Sequence, residues 1–173
     1  MARVHDGKLT RVKLIERFRS IKMLSLDVDG ILTDGGIYYL DDGHQIRKFN
    51  SKDGMGIKQA IKAGIDMCWL TASNTESIRH RAQALGVPHI VTDAEDKLKA
   101  LKTLIDGLGI DLSEVAHMGD DSNDLPVLNV VGCPLTAADA IQDVKDVALY
   151  ITERRGGDAA VREICDLLVA SRR

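Results

Sequence analysis

The sequence predicts an α/β protein, a three-layer sandwich built on a mainly parallel sheet, with a small β-hairpin flap after the first strand. Three observations predict it. Short apolar runs alternate with helix-length stretches along most of the chain, the pattern of parallel strands joined by crossover helices. A glycine recurs where each helical stretch gives way to the next apolar run, at Ala63-Gly64-Ile65, Leu85-Gly86-Val87, Leu108-Gly109-Ile110 and Val131-Gly132-Cys133. Glycine there supplies the left-handed conformation that ends a helix. One segment, Gly36 to Phe49, breaks the alternation and reads as two extended pieces around Asp42-Gly43, a hairpin signal.

Taken in order, the strand-like runs are 22–28, 65–70, 88–92, 114–118, 133–136 and 147–151, and the helical stretches are 55–63, 75–85, 96–108, 122–129 and 158–172. At 173 residues the chain is read as one domain spanning 1–173, long enough to bury a sizeable core. The hairpin, 36–49, carries Tyr38, Tyr39 and Phe49. A two-stranded ribbon cannot bury such side chains alone, so they are expected to meet the parent domain or another subunit.

Apolar residues make up 45% and charged residues 28%, with a net charge of −3. This is ordinary for a globular chain rather than a disordered one and gives no general reason to expect nucleic-acid binding. The first 22 residues run the other way: Arg3, Lys8, Arg11, Lys13, Arg17, Arg19 and Lys22 face only Asp6 and Glu16. They are read as a solvated helix face or as a patch for a partner. Cys68, Cys133 and Cys165 lack metal-ligand spacing and suit buried, reduced thiols. No 18-residue apolar run and no signal-peptide core is found, so a soluble cytoplasmic protein without membrane contact is expected.

The chemistry begins at Leu26-Asp-Val-Asp-Gly-Ile-Leu-Thr-Asp-Gly35. Residues two apart on an extended chain share a side, so Asp27 and Asp29 project together from the carboxyl end of the first strand. Charges at the edge of a core cost several kcal/mol unless paired. Further on, Asp66-Met-Cys-Trp-Leu-Thr71 ends a strand with a threonine, read by itself as a helix cap or as a site hydroxyl. Asp96-Lys97-Leu-Lys99 puts a cation in the first turn of a helix, against its dipole, although an exposed lysine is the ordinary reading of either. Gly119-Asp120-Asp121 follows the fourth strand-like run, with Asn123 and Asp124 close behind. These acids are either a solvated loop or, with Asp27 and Asp29, an oxygen-rich pocket for a hard divalent cation.

Together these four stations resemble the haloacid dehalogenase superfamily of phosphohydrolases, whose members carry Asp-x-Asp-Gly-x-x-[Thr/Ser/Val], a Thr or Ser, a Lys and an acidic motif in this order. The resemblance implies a Rossmann-like sheet and an aspartyl-phosphate mechanism. Asp27 would be the nucleophile and Asp29 the general acid and base, with Thr71 and Lys97 holding phosphoryl oxygens. Mg²⁺ would lie on Asp27, the Asp29 carbonyl and Asp120, supported by Gly119, Asp121, Asn123 and Asp124. About 40 residues separate Asp29 from Thr71 and about 25 separate Thr71 from Lys97, which leaves no room for a cap domain.

Within the superfamily the chain is most similar to the capless 3-deoxy-D-manno-octulosonate 8-phosphate phosphatase family. The likeness includes the hairpin, Asp53-Gly-Met-Gly-Ile57, and Gly156-Gly157 with Ala160-Val-Arg-Glu-Ile-Cys165. It implies a phosphorylated sugar acid as substrate and a homotetramer joined through hairpins. Arg154 and Arg155 would either bind a substrate carboxylate, to which guanidinium is suited, or be solvated charges. Two positions depart from the family. Thr71-Ala72-Ser73 stands where Thr-Gly-Arg is usual, and Lys52-Asp53-Gly54 where Arg-Asp-Gly is usual. Both remove a fork-shaped donor, so a nine-carbon sialic-type acid 9-phosphate stays open as substrate. Readings from other classes are a phospho-acceptor module or a silent phosphatase-like assembly domain. The complete set of motifs argues against both.

Overall fold

The computed structural model describes residues 8–173; Arg3 and Asp6 lie outside them. In chain order the elements begin α1 (Arg11–Phe18), β1 (Met23–Leu26), β2 (Tyr38–Tyr39), β3 (Gln45–Ile46), α2 (Ser51–Lys62), β4 (Asp66–Leu70), α3 (Glu76–Leu85) and β5 (His89–Val91). They continue α4 (Lys97–Leu108), β6 (Val115–Met118), α5 (Leu125–Leu128), β7 (Cys133–Thr136), α6 (Gln142–Val147), β8 (Tyr150–Ile151) and α7 (Ala160–Ala170). Six strands form one sheet in the order β5-β4-β1-β6-β7-β8, and every neighbouring pair is parallel. The expected α/β architecture is the one observed.

Both faces of the sheet are covered, which is why its strands are apolar almost throughout. Leu24, Leu26, Met67, Trp69, Ala116 and Met118 pack with Phe18 of α1, Ile57 of α2, and Ile164 and Leu168 of α7. The alternate residues Met23, Cys68, Leu70 and Val115 pack with Leu101 and Ile105 of α4 and Val127 of α5. This period of two has a functional result. Ser25, Asp27 and His117 belong to the α4 side, so whatever they bind must come from that side.

Gly86 and Gly109 end α3 and α4 in the left-handed conformation, with φ of 75° and 64°. Gly132 does not share it. A side chain at Gly132 would collide with the Ser113 carbonyl, and the Gly132 carbonyl accepts two bonds from Arg17. Close approach, rather than helix termination, explains that glycine. Two helices, α1 and α6, add to the expected set, and the stretch expected at 122–129 divides into a 3₁₀ turn, Ser122–Asp124, and the short α5. Pro126 in the first turn of α5 lacks the N–H that a continuous helix would need.

In the described part of the basic N-terminal segment Arg11, Lys13, Arg19 and Lys22 are exposed, as a solvated face requires, and several of the cations have partners. Arg11 pairs with Glu153 and Glu163, Lys22 with Glu114 at 2.8 Å, and Arg17 bonds the Gly132 carbonyl. Lys8 donates to the Asp146 and Ala148 carbonyls at the end of α6, where a cation suits the helix dipole.

The hairpin forms as expected, with Tyr38 opposite Ile46 and Tyr39 opposite Gln45. Its aromatic residues divide. Phe49 stacks on the buried Trp69 at 5.9 Å between ring centres, whereas Tyr38 and Tyr39 remain 51% and 67% exposed.

The Asp53-Gly-Met-Gly-Ile57 stretch joins α2 to α7. Ala159 precedes α7 in a left-handed conformation with no side chain to cap it, and Asp53 Oδ1 instead accepts from the Arg162 N–H at 2.7 Å. Gly56 lets α7 approach, since a Cβ there would press on Arg162 and Cys165. Asp53→Ala is expected to lower stability by about 1–2 kcal/mol through loss of this cap, read as a shift in the urea midpoint without a change in slope; an unshifted midpoint would remove Asp53 from the capping role.

Candidate active site

The chain runs from β1 outward through β4 to β5, then returns to β6 and runs the other way to β8. The order therefore reverses between β1 and β6, and a parallel sheet binds ligands beyond its carboxyl ends at such a point. A cleft of about 380 Å³ opens there, lined by Asp27, Asp29, Gly30, Gly35, Thr71, Ala72, Ser73, Asp120, Asp121, Ser122 and Asn123. The Asp27 N–H donates to the Met118 carbonyl at 2.9 Å, which extends the β1–β6 ladder and fixes the Asp27 side chain against the loop after β6.

Lys97 is the charge at the centre. It opens α4 with its side chain only 1% exposed, and its Nζ lies 2.9 Å from Asp27 Oδ1 and 2.7 Å from Asp124 Oδ1. Asp124 is fully enclosed. Its Oδ1 also meets His117 Nε2 at 3.2 Å, and its Oδ2 accepts from the N–H groups of Asp120 and Asp121. His117 Nδ1 in turn meets Ser25 Oγ at 3.0 Å. Gly119 is required here because a Cβ would collide with the Asp124 carboxylate.

Burial raises the proton affinity of Asp124, but the bonds from His117 and Lys97 outweigh it and hold the group below the usual carboxylate range. Asp27 goes the other way: burial, then the nearby Asp124 charge, push it up, and Lys97 only partly opposes them. Burial and the Asp124 and Asp121 charges push Asp120 up to about 7. Lys97 is raised, the two carboxylates overcoming its burial, and burial lowers His117.

Asp27, Asp120 and Asp124 offer oxygens within 4.8 Å of one another. The Asp120 Oδ1 atom is buried with no hydrogen-bond partner, and an orphaned buried acceptor calls for a cation or donor. Asp124 is already consumed by Lys97, His117 and two backbone donors. The residues left to hold a hard cation are therefore Asp27 and Asp120, an all-oxygen set that fits one.

Thr71 is almost completely buried at the end of β4, and its Oγ1 accepts from Ser73 N–H at 3.1 Å. It caps no helix, since Thr75 precedes α3. Asp121 caps the 3₁₀ turn through Ser122 N–H, and Asn123 lines the cleft. Three expected substrate contacts lie elsewhere in the chain. Lys52 and Arg154 border a separate cavity with Arg11 and Glu163, and Arg155 lies 3.9 Å from Asp139 beside Lys48 and Gly157. None of the three lines the cleft, although the loop after β8 packs on the turn after β1, where the Gly157 N–H donates to the Ile31 carbonyl at 3.0 Å.

Sequence reasoning missed two residues. Arg47, just after β3, carries a side chain 1% exposed and paired with Asp29. His117 sits inside β6, where an alternating strand pattern conceals a polar side chain. The available signal was the alternation itself: His117 shares the face of Val115, and that face leads to Asp27 through Ser25.

A profile of haloacid dehalogenase-like hydrolases matches residues 86–164. The 3-deoxy-D-manno-octulosonate 8-phosphate phosphatase of Yersinia pestis is 38% identical over 156 residues, covering 90% of this chain and 83% of that protein. The chain belongs to the haloacid dehalogenase-like hydrolases. It is a phosphoric monoester hydrolase of that family. A probable YrbI family phosphatase from Pseudomonas syringae superposes with a TM-score of 0.91 at 38% identity, over 93% of this chain and 92% of that one. A 3-deoxy-D-manno-octulosonate 8-phosphate phosphatase from Moraxella catarrhalis, solved with magnesium, phosphate and KDO, superposes with a TM-score of 0.89 at 35% identity, over 92% and 91%. The family relation accounts for the four sequence stations and for a sheet on which all four meet.

The raised proton affinities of Asp27 and Asp120 have a direct consequence. The fold binds these protons more tightly than the unfolded chain does, so the metal-free protein loses that stability as pH rises from about 4 through about 7 for Asp120 and about 8 for Asp27. A divalent cation must displace the same protons. Mg²⁺, followed by calorimetry, is therefore expected to bind at least about tenfold more weakly at pH 6 than at pH 8, the displacement of the Asp120 proton alone giving that factor; equal affinity at both would show that binding displaces neither proton.

Proposed function

We propose that this phosphatase hydrolyses 3-deoxy-D-manno-octulosonate 8-phosphate through an aspartyl-phosphate on Asp27. The observation that carries the reading is the meeting of Asp27, Asp29, Thr71, Lys97 and Asp120 at one end of the sheet. The substrate assignment draws on relatives named for that ester, including the one solved with KDO.

Asp27 Oδ attacks phosphorus, forming an O–P bond as the P–O bond to the sugar breaks. Asp29 gives its proton to the leaving sugar oxygen, then takes one from the water that attacks the aspartyl-phosphate, so each half of the reaction restores the other's proton. Thr71 Oγ1 and Lys97 Nζ hold the phosphoryl oxygens, and Lys97 offsets their charge while keeping the Asp27 oxygen in line. Ala72 and Ser73 border the phosphoryl position. Asp27, Asp120 and the Asp29 carbonyl would hold Mg²⁺, which would supply charge neutralisation at the phosphoryl group. Gly119, Asp121, Asn123 and Asp124 support that set, Asp124 by fixing Lys97.

The reading includes a homotetramer. Ile37, Tyr38, Tyr39, Leu40 and Ile46 are each at least 44% exposed on the hairpin, an apolar surface of the kind that subunits cover. Such assembly would bring Arg154, Arg155 or Lys52 of one subunit toward the cleft of another, where guanidinium and ammonium suit a sugar carboxylate. The three buried thiols fit a reducing cytosol, and no helix among the described residues is long and apolar enough to cross a membrane. Ser73 favours one second reading, a nine-carbon sialic-type acid 9-phosphate, because it stands where the octulosonate phosphatases usually carry an arginine.

Phosphate release from both sugar-acid esters and from hexose phosphates, compared side by side, tests the assignment. The octulosonate ester is expected to give the highest kcat/KM, and a preference for a hexose phosphate would end the sugar-acid reading. Asp27→Asn is expected to lower turnover by more than about 10³-fold, since an amide is a poor nucleophile. EDTA should abolish activity and Mg²⁺ restore it; activity that survives exhaustive chelation would remove the cation from the mechanism.

A further inference from the structure

We propose that Arg47, carried by the hairpin, is a positioning residue that sets the Asp29 carboxylate for proton transfer to the leaving oxygen. The inference rests on the role given to Asp29 above and deepens it. Arg47 Nε donates to Asp29 Oδ1 at 2.6 Å and Nη2 donates to Oδ2 at 3.0 Å, a two-point grip that fixes the plane of the carboxyl group as well as its position. Nη2 also reaches Ser73 Oγ at 2.9 Å, and Nη1 reaches Thr75 Oγ1 at 2.8 Å. Four of the five guanidinium N–H bonds are thus spent inside the protein, and the side chain is 1% exposed. Arg47 has too little donor capacity left to act as a substrate receptor, so it acts through Asp29.

Two neighbouring features support this assignment. Thr75 occupies the N-cap position of α3 but makes no capping bond; its hydroxyl is turned to Arg47, giving up a contact that ordinarily stabilises a helix start. The residues that follow Arg47 anchor the same strand. Lys48 pairs with Asp34 at 2.5 Å and Phe49 stacks on Trp69. The hairpin is therefore held by its root at the mouth of the cleft, with Arg47 as the residue that enters the site.

The step served is the first one. The Asp29 O–H bond breaks as its proton passes to the ester oxygen, the P–O bond to the leaving group breaks, and the Asp27 O–P bond forms. Each Asp29 oxygen keeps a second lone pair besides the one that faces Arg47, so the grip leaves the proton-bearing side free. Displacement of such a group by about 1 Å costs on the order of 10²-fold in rate.

The test compares phenyl phosphate, whose leaving oxygen needs a proton, with 4-nitrophenyl phosphate, whose leaving oxygen needs it far less. Neither probe depends on which sugar is the natural substrate. Arg47→Met is expected to lower kcat/KM for phenyl phosphate about tenfold more than for 4-nitrophenyl phosphate, and Asp29→Asn should show the same selectivity. The ratio is taken on one preparation, so it is independent of the folded fraction. If Asp29→Asn shows no selectivity, the acid–base reading of Asp29 fails. If Asp29→Asn is selective and Arg47→Met lowers both substrates equally or neither, the Arg47 proposal alone is overturned. Should Arg47→Met not fold by circular dichroism, Arg47→Gln decides by the same ratio, and an unaltered ratio overturns the proposal.

Discussion

One buried ammonium group organises the catalytic end of this protein. Lys97 Nζ bridges Asp27, which follows β1, and Asp124, which lies beyond β6. Without it two carboxylates would share a desolvated space, an arrangement that costs several kcal/mol. Its position is locally unfavourable, since a cation at the start of α4 opposes the helix dipole by a few tenths of a kcal/mol. The arrangement succeeds because the attraction to two close carboxylates in a low-dielectric setting is much larger. The start of α4, the tight turn at Gly119 and the β1–β6 pairing together bring three chain segments to that one nitrogen.

Charge balance then explains what remains. One ammonium cannot neutralise Asp27, Asp120 and Asp124 together. Asp124 has His117 and two backbone N–H groups as well, so it stays ionised, and the shortfall falls on Asp27 and Asp120. The orphaned Asp120 oxygen marks the same deficit in geometric form. The site is an anionic cradle that is complete only with a cation.

The sheet and the linear motifs were legible in the sequence because each depends on local pattern. Apolar runs of strand length, glycines after helices and acids two apart are written in neighbouring residues, and the structure joins Asp27, Asp29, Thr71, Ala72, Ser73 and Asp120 as that pattern implies. What could not be read depends on distance through space. Arg47 and Asp29 are eighteen positions apart, and their contact requires the hairpin to fold back over the cleft. Lys52, Arg154 and Arg155 carry a suitable charge, but the paths of α2 and the β8 loop take them elsewhere. The basic N-terminal segment shows the same limit from the other side: Glu114, Glu153 and Glu163, which pair with Lys22 and Arg11, are far along the chain, so the run of charge looked more unbalanced than it is.

Trp69 is the chain's single tryptophan, and it lies fully buried in β4 beneath the ring of Phe49. Nature has thereby placed a lone indole chromophore directly under the root of the flap. Emission from it carries no background from other tryptophans, so a change in its wavelength would report on the surroundings of this one ring. Any change in the Phe49–Trp69 contact would thus be readable optically in the unlabelled protein, separately from any turnover.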